Sequence, residues 1–500
     1  MTSHRQARRC PRDLQLFLQD DGMRAIVLVP VAMIFLLFGI GFVLHAKEKF
    51  YVIVLGLLLF GYMLFGKGIA YLGIAPLYVS EITLAIGLGT VALLAITRGR
   101  LNVVALRQPS ALWLALFMVW GALRTLPFLD DYGMDALRDG VIWGYSLIAF
   151  CVAILVTPTT LDRLFSTYGR FIFPALVWLA SIRFLAKVIT MPTLPGAPVS
   201  IAEIKPGDVG VHLAGIGVFL FLRLDRAYGK PYPKAVLWFL WACWGLAWLM
   251  HGSQARAGML SALVGLAVAF SLRPKLSGWV RPALLVWVLL LGPFLADSTG
   301  LLQIDSARRR TVSVEQIAAN FTSLVGGPST TDQESTVQWR LAWWKKIASY
   351  ALDVQNSYFW MGKGFGINLA NADGFPSPQG APPNRHPHNI TMNVLGRMGT
   401  PGLILWLLFL GSLGWRLLRA TRRPGYTGRI AVWLLAYWLA FLFNAHTDVF
   451  LEGPMGGVWF WAVVGASWVF LYRVPREQAQ LIPLAAPTTV MLAAAPASPG

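Results

Sequence analysis

Long apolar runs separated by short polar loops dominate this sequence and leave few folds open to it. Hydrophobic residues make up 56% of the 500 residues, and charged residues make up only 13%. Soluble globular domains carry roughly 25% charged residues. Long apolar runs are typical of helices that cross a membrane, because a helix satisfies its own backbone hydrogen bonds in lipid. The sequence therefore predicts an all-α, polytopic membrane helical bundle.

Twelve or thirteen apolar runs are candidates, and about twelve transmembrane helices are expected from them. The runs lie at approximately 25–44, 51–66, 79–97, 111–128, 140–156, 171–190, 209–223, 235–251, 257–272, 281–296, 389–414, 430–446 and 456–473. The first run is long and lacks a small-residue cleavage site, so we expect no cleavable signal peptide.

These runs divide the chain into five parts. The divisions are 1–24 (basic N-terminal segment), 25–296 (about ten spans), 297–388 (a long loop segment with short helices), 389–473 (three spans) and 474–500 (an Ala/Pro-rich, disordered tail). A loop as long as 297–388 in a compact bundle is usually functional.

The loop charges predict an orientation. If every span from 111 onward crosses once, four basic loops fall on one side: 97–107, 223–234, 273–281 and 416–429. The positive-inside rule makes that side cytoplasmic, so 297–388 lies outside. The first hundred residues do not fit this scheme. Two interpretations stay open there: 51–80 is partly re-entrant, or the first run does not fully cross.

The net charge of +19 does not indicate a nucleic-acid partner, since much of the excess lies in short loops where it sets orientation. The three cysteines, Cys10, Cys151 and Cys243, are scattered and form neither a disulfide framework nor a metal site.

Two arginines at the predicted outer face are candidate anion ligands. Arg256 lies in "HGSQARAG" between two spans, and Arg340 lies in "VQWRLAWWKK" on a predicted helix rich in tryptophan. A guanidinium is always charged and suits phosphate oxygens. The alternatives are a snorkelling arginine and an interfacial amphipathic helix. Arg183, near the outer end of its span, is a candidate for a further phosphate contact.

The outer face also carries histidines at the start of an apolar helix, in "PPNRHPHNITMNVLGRMGTPGL". His388 is the candidate general base, because a neutral imidazole accepts a proton from a hydroxyl. Asn389 is expected to cap the helix, and His386 and Asp448 are expected to support the site. A metal is not expected, because no acidic or cysteine partner lies at the usual spacing. The glycines of "WMGKGFG", 360–366, permit close backbone approach but are not a P-loop.

The order of these motifs resembles the O-antigen ligase and O-antigen polymerase superfamily. The segments are "SQARAG" (253–258), "QWRLAWW" (338–344), "GKGFG" (362–366), "HPHNITMNVLGRMGTPGL" (386–403) and "DVFLEGP" (448–454), and the resemblance covers roughly 235 to 470. Members are multispanning glycosyltransferases of the bacterial inner membrane with a long periplasmic loop late in the chain. The first hundred residues do not show the family's topology clearly.

The resemblance implies transfer of a glycan from an undecaprenyl-diphosphate carrier to a sugar hydroxyl at the periplasmic face. It implies that Arg256 and Arg340 hold the diphosphate and that His388 acts on the attacking hydroxyl, with inversion and without a metal or other cofactor. The partners are then the lipid-linked oligosaccharide donor, a saccharide acceptor and membrane lipids, with no nucleic acid.

Several activities share these motifs. We favour polymerisation of an O-antigen or exopolysaccharide, because nothing in the sequence marks a lipopolysaccharide acceptor site. Ligation onto lipid A-core and glycan transfer onto protein are the alternatives, and the genes encoded nearby would separate them. A transporter is a further alternative, but the polar residues gather at one face and no internal repeat is seen.

Overall fold

The computed structural model describes residues 48–74, 77–99, 101–193, 199–228, 231–252, 254–275, 331–376 and 384–481. Its elements are α1 (Glu48–Phe65), α2 (Lys67–Ala70), β1 (Gly73–Ile74), β2 (Leu77–Tyr78), α3 (Val79–Arg98), α4 (Pro109–Thr125), α5 (Leu129–Tyr132), α6 (Met134–Asp139), α7 (Val141–Gly144), α8 (Leu147–Leu155), α9 (Pro158–Val188), α10 (Pro206–Phe221), α11 (Asp225–Tyr228), α12 (Lys234–Gly252), α13 (Arg256–Leu272), α14 (Thr331–Ala351), α15 (Ser357–Met361), α16 (Leu369–Asp373), α17 (Ile390–Thr421), α18 (Gly425–Ala445) and α19 (Pro454–Leu481). Short 3₁₀ turns cover Val104–Leu106 and Leu126–Phe128, and β1 pairs with β2 as a small antiparallel hairpin.

The described residues contain eight helices that are long and apolar enough to cross a membrane, so the chain is a multi-pass membrane protein. They are α1, α3, α4 with its continuation to Tyr132, α9, α12, α17, α18 and α19. The all-α fold is confirmed, and the count of about twelve stays a prediction. The predicted spans 25–44 and 281–296, the N-terminal segment 1–24 and the tail beyond 481 lie outside the described residues.

Three predicted spans are shorter than a full crossing. The run 140–156 forms two pieces, α7 and α8, while 209–223 and 257–272 correspond to α10 and α13. In contrast, α9 begins at Pro158, well before the predicted start at 171. Charged residues in its first turns interrupt the apolar run, and one of them, Asp162, forms an ion pair with Arg473 (2.6 Å).

The helix α10 forms the centre of the bundle. Every residue from Gly207 to Phe221 is buried, with α13 and α18 packed against it. Gly210 allows α10 and α13 to pack closely, because a Cβ added there would lie 1.9 Å from the carbonyl oxygen of Gly258 on α13. Because other helices surround α10, it does not need the length of a helix that faces lipid across the whole bilayer, which explains why it is short.

The basic loops meet at one end of the bundle, as the charge pattern predicts. The Arg273 guanidinium donates to the carbonyls of Thr421 (2.5 Å) and Arg423 (3.2 Å), which joins the loops after α13 and α17. Arg429 donates to the carbonyl of Leu222 (3.3 Å), which joins the loop after α10 to the same region.

The loop 97–107 lies at that end too. Gln108, which follows this loop directly, donates to the carbonyl of Trp468 (3.0 Å), near the Arg473 end of α19.

The first two turns of α17 are separated from the rest of the helix by a kink. Gly399 has φ 68° and ψ −172°, and Pro401 follows it. Proline lacks the N–H that would bond to the carbonyl four residues earlier, so the carbonyl of Arg397 is left free. It accepts instead from the Gly364 N–H (3.0 Å). The predicted span 389–414 is therefore a short outer helix followed by a membrane helix.

The alternating glycines of "WMGKGFG" form a strap across this kink. The Lys363 N–H donates to the carbonyl of Gly396 (2.8 Å), next to the bond from Gly364. Gly362 has φ 60°, and a Cβ there would lie 2.4 Å from the carbonyl carbon of Arg397. The motif is thus explained by close backbone contact, which only glycine permits.

A small second core supports the same region. It joins α14 and α16 to the outer part of α17 through Trp343, Ile347, Tyr350, Ala351, Leu369, Ala370 and Leu395. This packing places the loop segment before α17 against its first turns.

Candidate active site

The central feature of the site is a pair formed by His388 and Asp448, next to Lys205. Asp448 Oδ1 lies 3.4 Å from His388 Nδ1, and the Lys205 ammonium lies 2.7 Å from Asp448 Oδ2. Lys205 also donates to the carbonyl of Val449 (2.7 Å). The three side chains come from loops before α17, after α18 and before α10. Asp448, which the sequence analysis expected to support the site, thus lies beside His388.

Local structure fixes His388 in place. It has φ 53°, a left-handed conformation that is uncommon outside glycine and that often marks functional positions. Asn389 caps α17, with its side-chain oxygen accepting from the Met392 N–H (3.1 Å), as predicted. The indole N–H of Trp344 donates to the carbonyl of Pro387 (2.7 Å), so α14 holds the preceding residue.

Asp448 is an ionised carboxylate. Burial alone would raise its pKa, but the hydrogen bond from His388 and the charge and hydrogen bond of Lys205 hold the pKa well below its usual range. Burial also opposes the charge of Lys205, yet Asp208 and Asp448 raise its pKa. A charged carboxylate that faces Nδ1 favours the tautomer with the proton on that nitrogen, leaving Nε2 as the basic atom.

Arg340 and Arg256 lie beside this pair. Arg340 donates from Nη1 to the carbonyl of Thr447 (2.7 Å), one residue from Asp448. Burial and the like charge of Arg256 lower the pKa of Arg340, whereas Asp448 raises it, so the three groups interact electrostatically. Within the described part of the chain, the Nε of Arg340 is buried without a hydrogen-bond partner. This guanidinium therefore has unused donor capacity.

Arg183 lies on α9 and interacts electrostatically with buried His251 of α12. Its predicted role as a further phosphate ligand stays a prediction.

His386 turns away from His388 into a separate, buried polar network. Its Nδ1 lies 3.2 Å from the Asn393 amide nitrogen, and its Nε2 lies 4.0 Å from Asp139. Burial, together with the positive charge of Arg397, lowers the pKa of His386 from 6.5 to about 3. His386 is thus a neutral acceptor, which agrees with a supporting role more than with catalysis.

The fully buried guanidinium of Arg397 organises that network. It pairs with Asp139 (3.0 Å), and its Nε donates to the Asn393 side-chain oxygen (3.0 Å). Asn393 in turn donates to Glu452 (2.9 Å), in the loop that carries Asp448. The network therefore links the first turns of α17 to the loop that carries Asp448.

The buried state of His386 predicts a pH dependence of stability. Its folded pKa is lowered to about 3, so the unfolded chain takes up this proton first as the pH falls. The free energy of unfolding should drop below about pH 6.5, by up to about 1.4 kcal/mol per pH unit. We expect His386→Gln, which keeps an acceptor for Asn393, to show a shallower decline in thermal unfolding scans of detergent-purified protein. Parallel declines for both proteins would contradict this expectation.

The network of Asp139, Asn393, Arg397 and Glu452 was not predicted from the sequence, and neither was a specific role for Lys205. The one available signal was Arg397, a charged residue inside an apolar helix. Among the described residues, no group of three or more His, Cys, Asp or Glu is arranged to hold a metal ion.

Comparison with known proteins agrees with the geometry. Residues 241–407 match the family model described as O-antigen ligase, a range that contains Arg256, Arg340, His386, His388 and Asn389. No curated protein matches the chain significantly. The family match and the membrane helices support a role in membrane glycan transfer during O-antigen or polysaccharide assembly. The match over residues 241–407 supports the resemblance to the O-antigen ligase and polymerase superfamily.

Proposed function

We propose that this protein transfers a glycan from an undecaprenyl-diphosphate carrier to a sugar hydroxyl at the periplasmic face of the bacterial inner membrane. The observation that carries the proposal is the His388–Asp448 pair beside Arg340 and Arg256. These groups lie at the bundle end opposite the basic loops. There a diphosphate borne by lipid and a sugar acceptor in water can meet.

His388 is the general base of the proposed reaction. Its Nε2 takes the proton of the acceptor hydroxyl while that oxygen attacks the anomeric carbon of the donor glycan. Asp448, at 3.4 Å from Nδ1, orients the imidazole and stabilises the imidazolium that forms. The bond from the anomeric carbon to the diphosphate breaks, and the bonding electrons leave with the polyprenyl diphosphate. A single displacement of this kind inverts the anomeric configuration.

The arginines stabilise the leaving group. Negative charge grows on the diphosphate as the glycosidic bond breaks, and fixed cations there favour the transition state over the ground state. Among the residues that the structure describes, Arg340 Nε has no hydrogen-bond partner, and it is a donor suited to a phosphate oxygen. With Arg256 nearby, the protein itself supplies positive charge, so the proposed mechanism is metal-independent.

We favour a polymerase, in which the acceptor is another lipid-linked glycan. Ligation onto lipid A-core is the second candidate, and it is consistent with the O-antigen ligase family that residues 241–407 match. Purified protein in lipid nanodiscs with an undecaprenyl-diphosphate oligosaccharide as the only substrate separates the two. A ladder of longer lipid-linked glycans supports polymerisation, and transfer only after lipid A-core is added supports ligation. A protein that transfers glycan to neither acceptor contradicts the proposal.

Replacing Arg340 with glutamine should make the protein a less efficient catalyst with the diphosphate-linked donor. A charge-assisted hydrogen bond contributes about 1.5–3 kcal/mol, so we expect kcat/KM for the donor to fall by about 10- to 100-fold. Acceptor KM should change little. Lys345→Gln removes an exposed cation from the same helix and is the matched control, with kcat/KM for the donor expected to stay unchanged. An unaltered kcat/KM for the donor in Arg340→Gln would remove Arg340 from diphosphate binding.

A further inference from the structure

We propose that Trp339 forms a sugar-binding subsite beside His388, on which the pyranose ring of the acceptor stacks. This inference rests on the proposed function, because it identifies the ring on Trp339 as the one that bears the attacking hydroxyl. The position of Trp339 is the first observation. Its half-buried side chain lies on α14, and its ring centroid is 6.4 Å from that of His388 with the planes at 70°.

The indole of Trp339 is held in one orientation by two further aromatic rings. Its centroid is 5.2 Å from that of Trp343 and 6.2 Å from that of Phe375. Trp343 is fully buried, with its indole N–H donating to Asp373 (2.7 Å) and Phe375 stacked on it. A ring fixed in this way loses little conformational freedom when it binds a ligand, and this favours affinity.

The chemistry of an indole suits a sugar face. Aromatic rings carry negative charge on their faces, and the C–H groups on one side of a pyranose are weakly positive. Trp343, Phe375 and His388 stand at 64°, 81° and 70° to the Trp339 plane, so none of these rings stacks face to face on it. A pyranose stacked there would have its hydroxyls at its rim, next to the His388 imidazole.

The neighbouring residue separates the acceptor from the donor. Arg340 follows Trp339 directly, and successive residues of a helix point about 100° apart. Arg340 donates to the carbonyl of Thr447 and interacts with Arg256, on the side assigned to the diphosphate. Trp339 instead meets His388. One helix thus presents a cation to the donor and an aromatic ring to the acceptor, with the base between them.

The competing explanation is that Trp339 only packs against the small core of α14 and α16. Two substitutions separate these roles. Trp339→Leu keeps an apolar side chain for packing but removes the aromatic face, whereas Trp339→Phe keeps a smaller aromatic face. Trp360→Leu is the control, because Trp360 is 56% exposed on α15 and outside the proposed subsite.

We expect Trp339→Leu to raise the acceptor KM by about tenfold and Trp339→Phe by a few fold, with donor KM unchanged in both. The thermal midpoint of each variant is measured alongside, and the Trp360→Leu control should match the wild type. An unchanged acceptor KM in Trp339→Leu, or equal losses in the leucine and phenylalanine variants, would overturn the subsite.

A binding measurement without turnover makes the inference independent of catalysis. Saturation-transfer NMR is recorded with the protein in nanodiscs and methyl glycosides of glucose, galactose, mannose and N-acetylglucosamine. The subsite predicts saturation of at least one glycoside by the wild type and by Trp360→Leu, and its loss in Trp339→Leu. No saturation of any glycoside by the wild type would overturn it. Binding that depends on Trp339 without any glycan transfer would support the subsite and overturn the proposed reaction.

Discussion

Replacing His388 with alanine or asparagine should nearly abolish glycan transfer while donor binding is retained. A positioned general base contributes roughly 10²- to 10⁴-fold to the rate, and we expect kcat to fall by a factor in that range. Neither replacement can take the proton that the attacking hydroxyl must lose. Asp448 does not substitute for it, because its pKa lies well below the usual carboxylate range and it is a weak base.

The asparagine variant controls for the backbone. His388 has φ 53°, and asparagine adopts this region more readily than alanine does. A loss of activity shared by both variants is then attributed to the imidazole and not to a changed loop. The measurement is single-turnover transfer in nanodiscs, with donor affinity determined separately. Wild-type rates in both variants would leave only the arginines as the basis of catalysis.

Replacing Arg397 with methionine should be among the most destabilising single changes in the chain. Its guanidinium is fully buried against Asp139 (3.0 Å), and removing one partner of a buried ion pair costs about 3–5 kcal/mol. The change also removes the donor to Asn393, which connects to the Glu452 loop. We therefore expect a lower free energy of unfolding, together with reduced transfer because the segment bearing His388 loses its support.

Unfolding in mixed detergent and dodecyl sulfate micelles measures this effect. Arg419→Met is the matched control, since Arg419 is exposed on the same helix over the ring of Trp415 (5.0 Å). Its free energy of unfolding should change by less than about 1 kcal/mol. A similar small change in Arg397→Met would show that the Asp139–Arg385 pair (2.9 Å) sustains the network alone.

Helices could be predicted from sequence where an apolar run faces lipid or the core. The residues at which those helices begin and end often could not be predicted. Mean hydropathy is an average over a window of residues, and charged residues at an exposed helix end lower that average. For this reason α9 begins 13 residues before its predicted start, at Pro158 instead of 171. The kink at Gly399 depends on backbone hydrogen-bond donors from Lys363 and Gly364. These residues lie too far from Gly399 in the sequence to fall within the same hydropathy window.

The candidate site shows the same division. The local pattern "HPHN" indicated a helix start and led to different expectations for His388 and His386, but it did not contain the acidic neighbour of either. Those neighbours are Asp448 and Asp139, each far from the histidines in sequence and brought to them by packing.

Local sequence features were enough to predict the membrane class, the gathering of basic loops at one end and the residue types of the candidate site. These follow from hydropathy, charge and short motifs, which are properties of neighbouring residues. The meeting of Lys205, His388 and Asp448, with Trp339 beside His388, results from helix packing and is visible only in the folded protein. Contacts between side chains hundreds of residues apart depend on how whole helices pack, because burial energy sets helix positions without regard to distance along the chain.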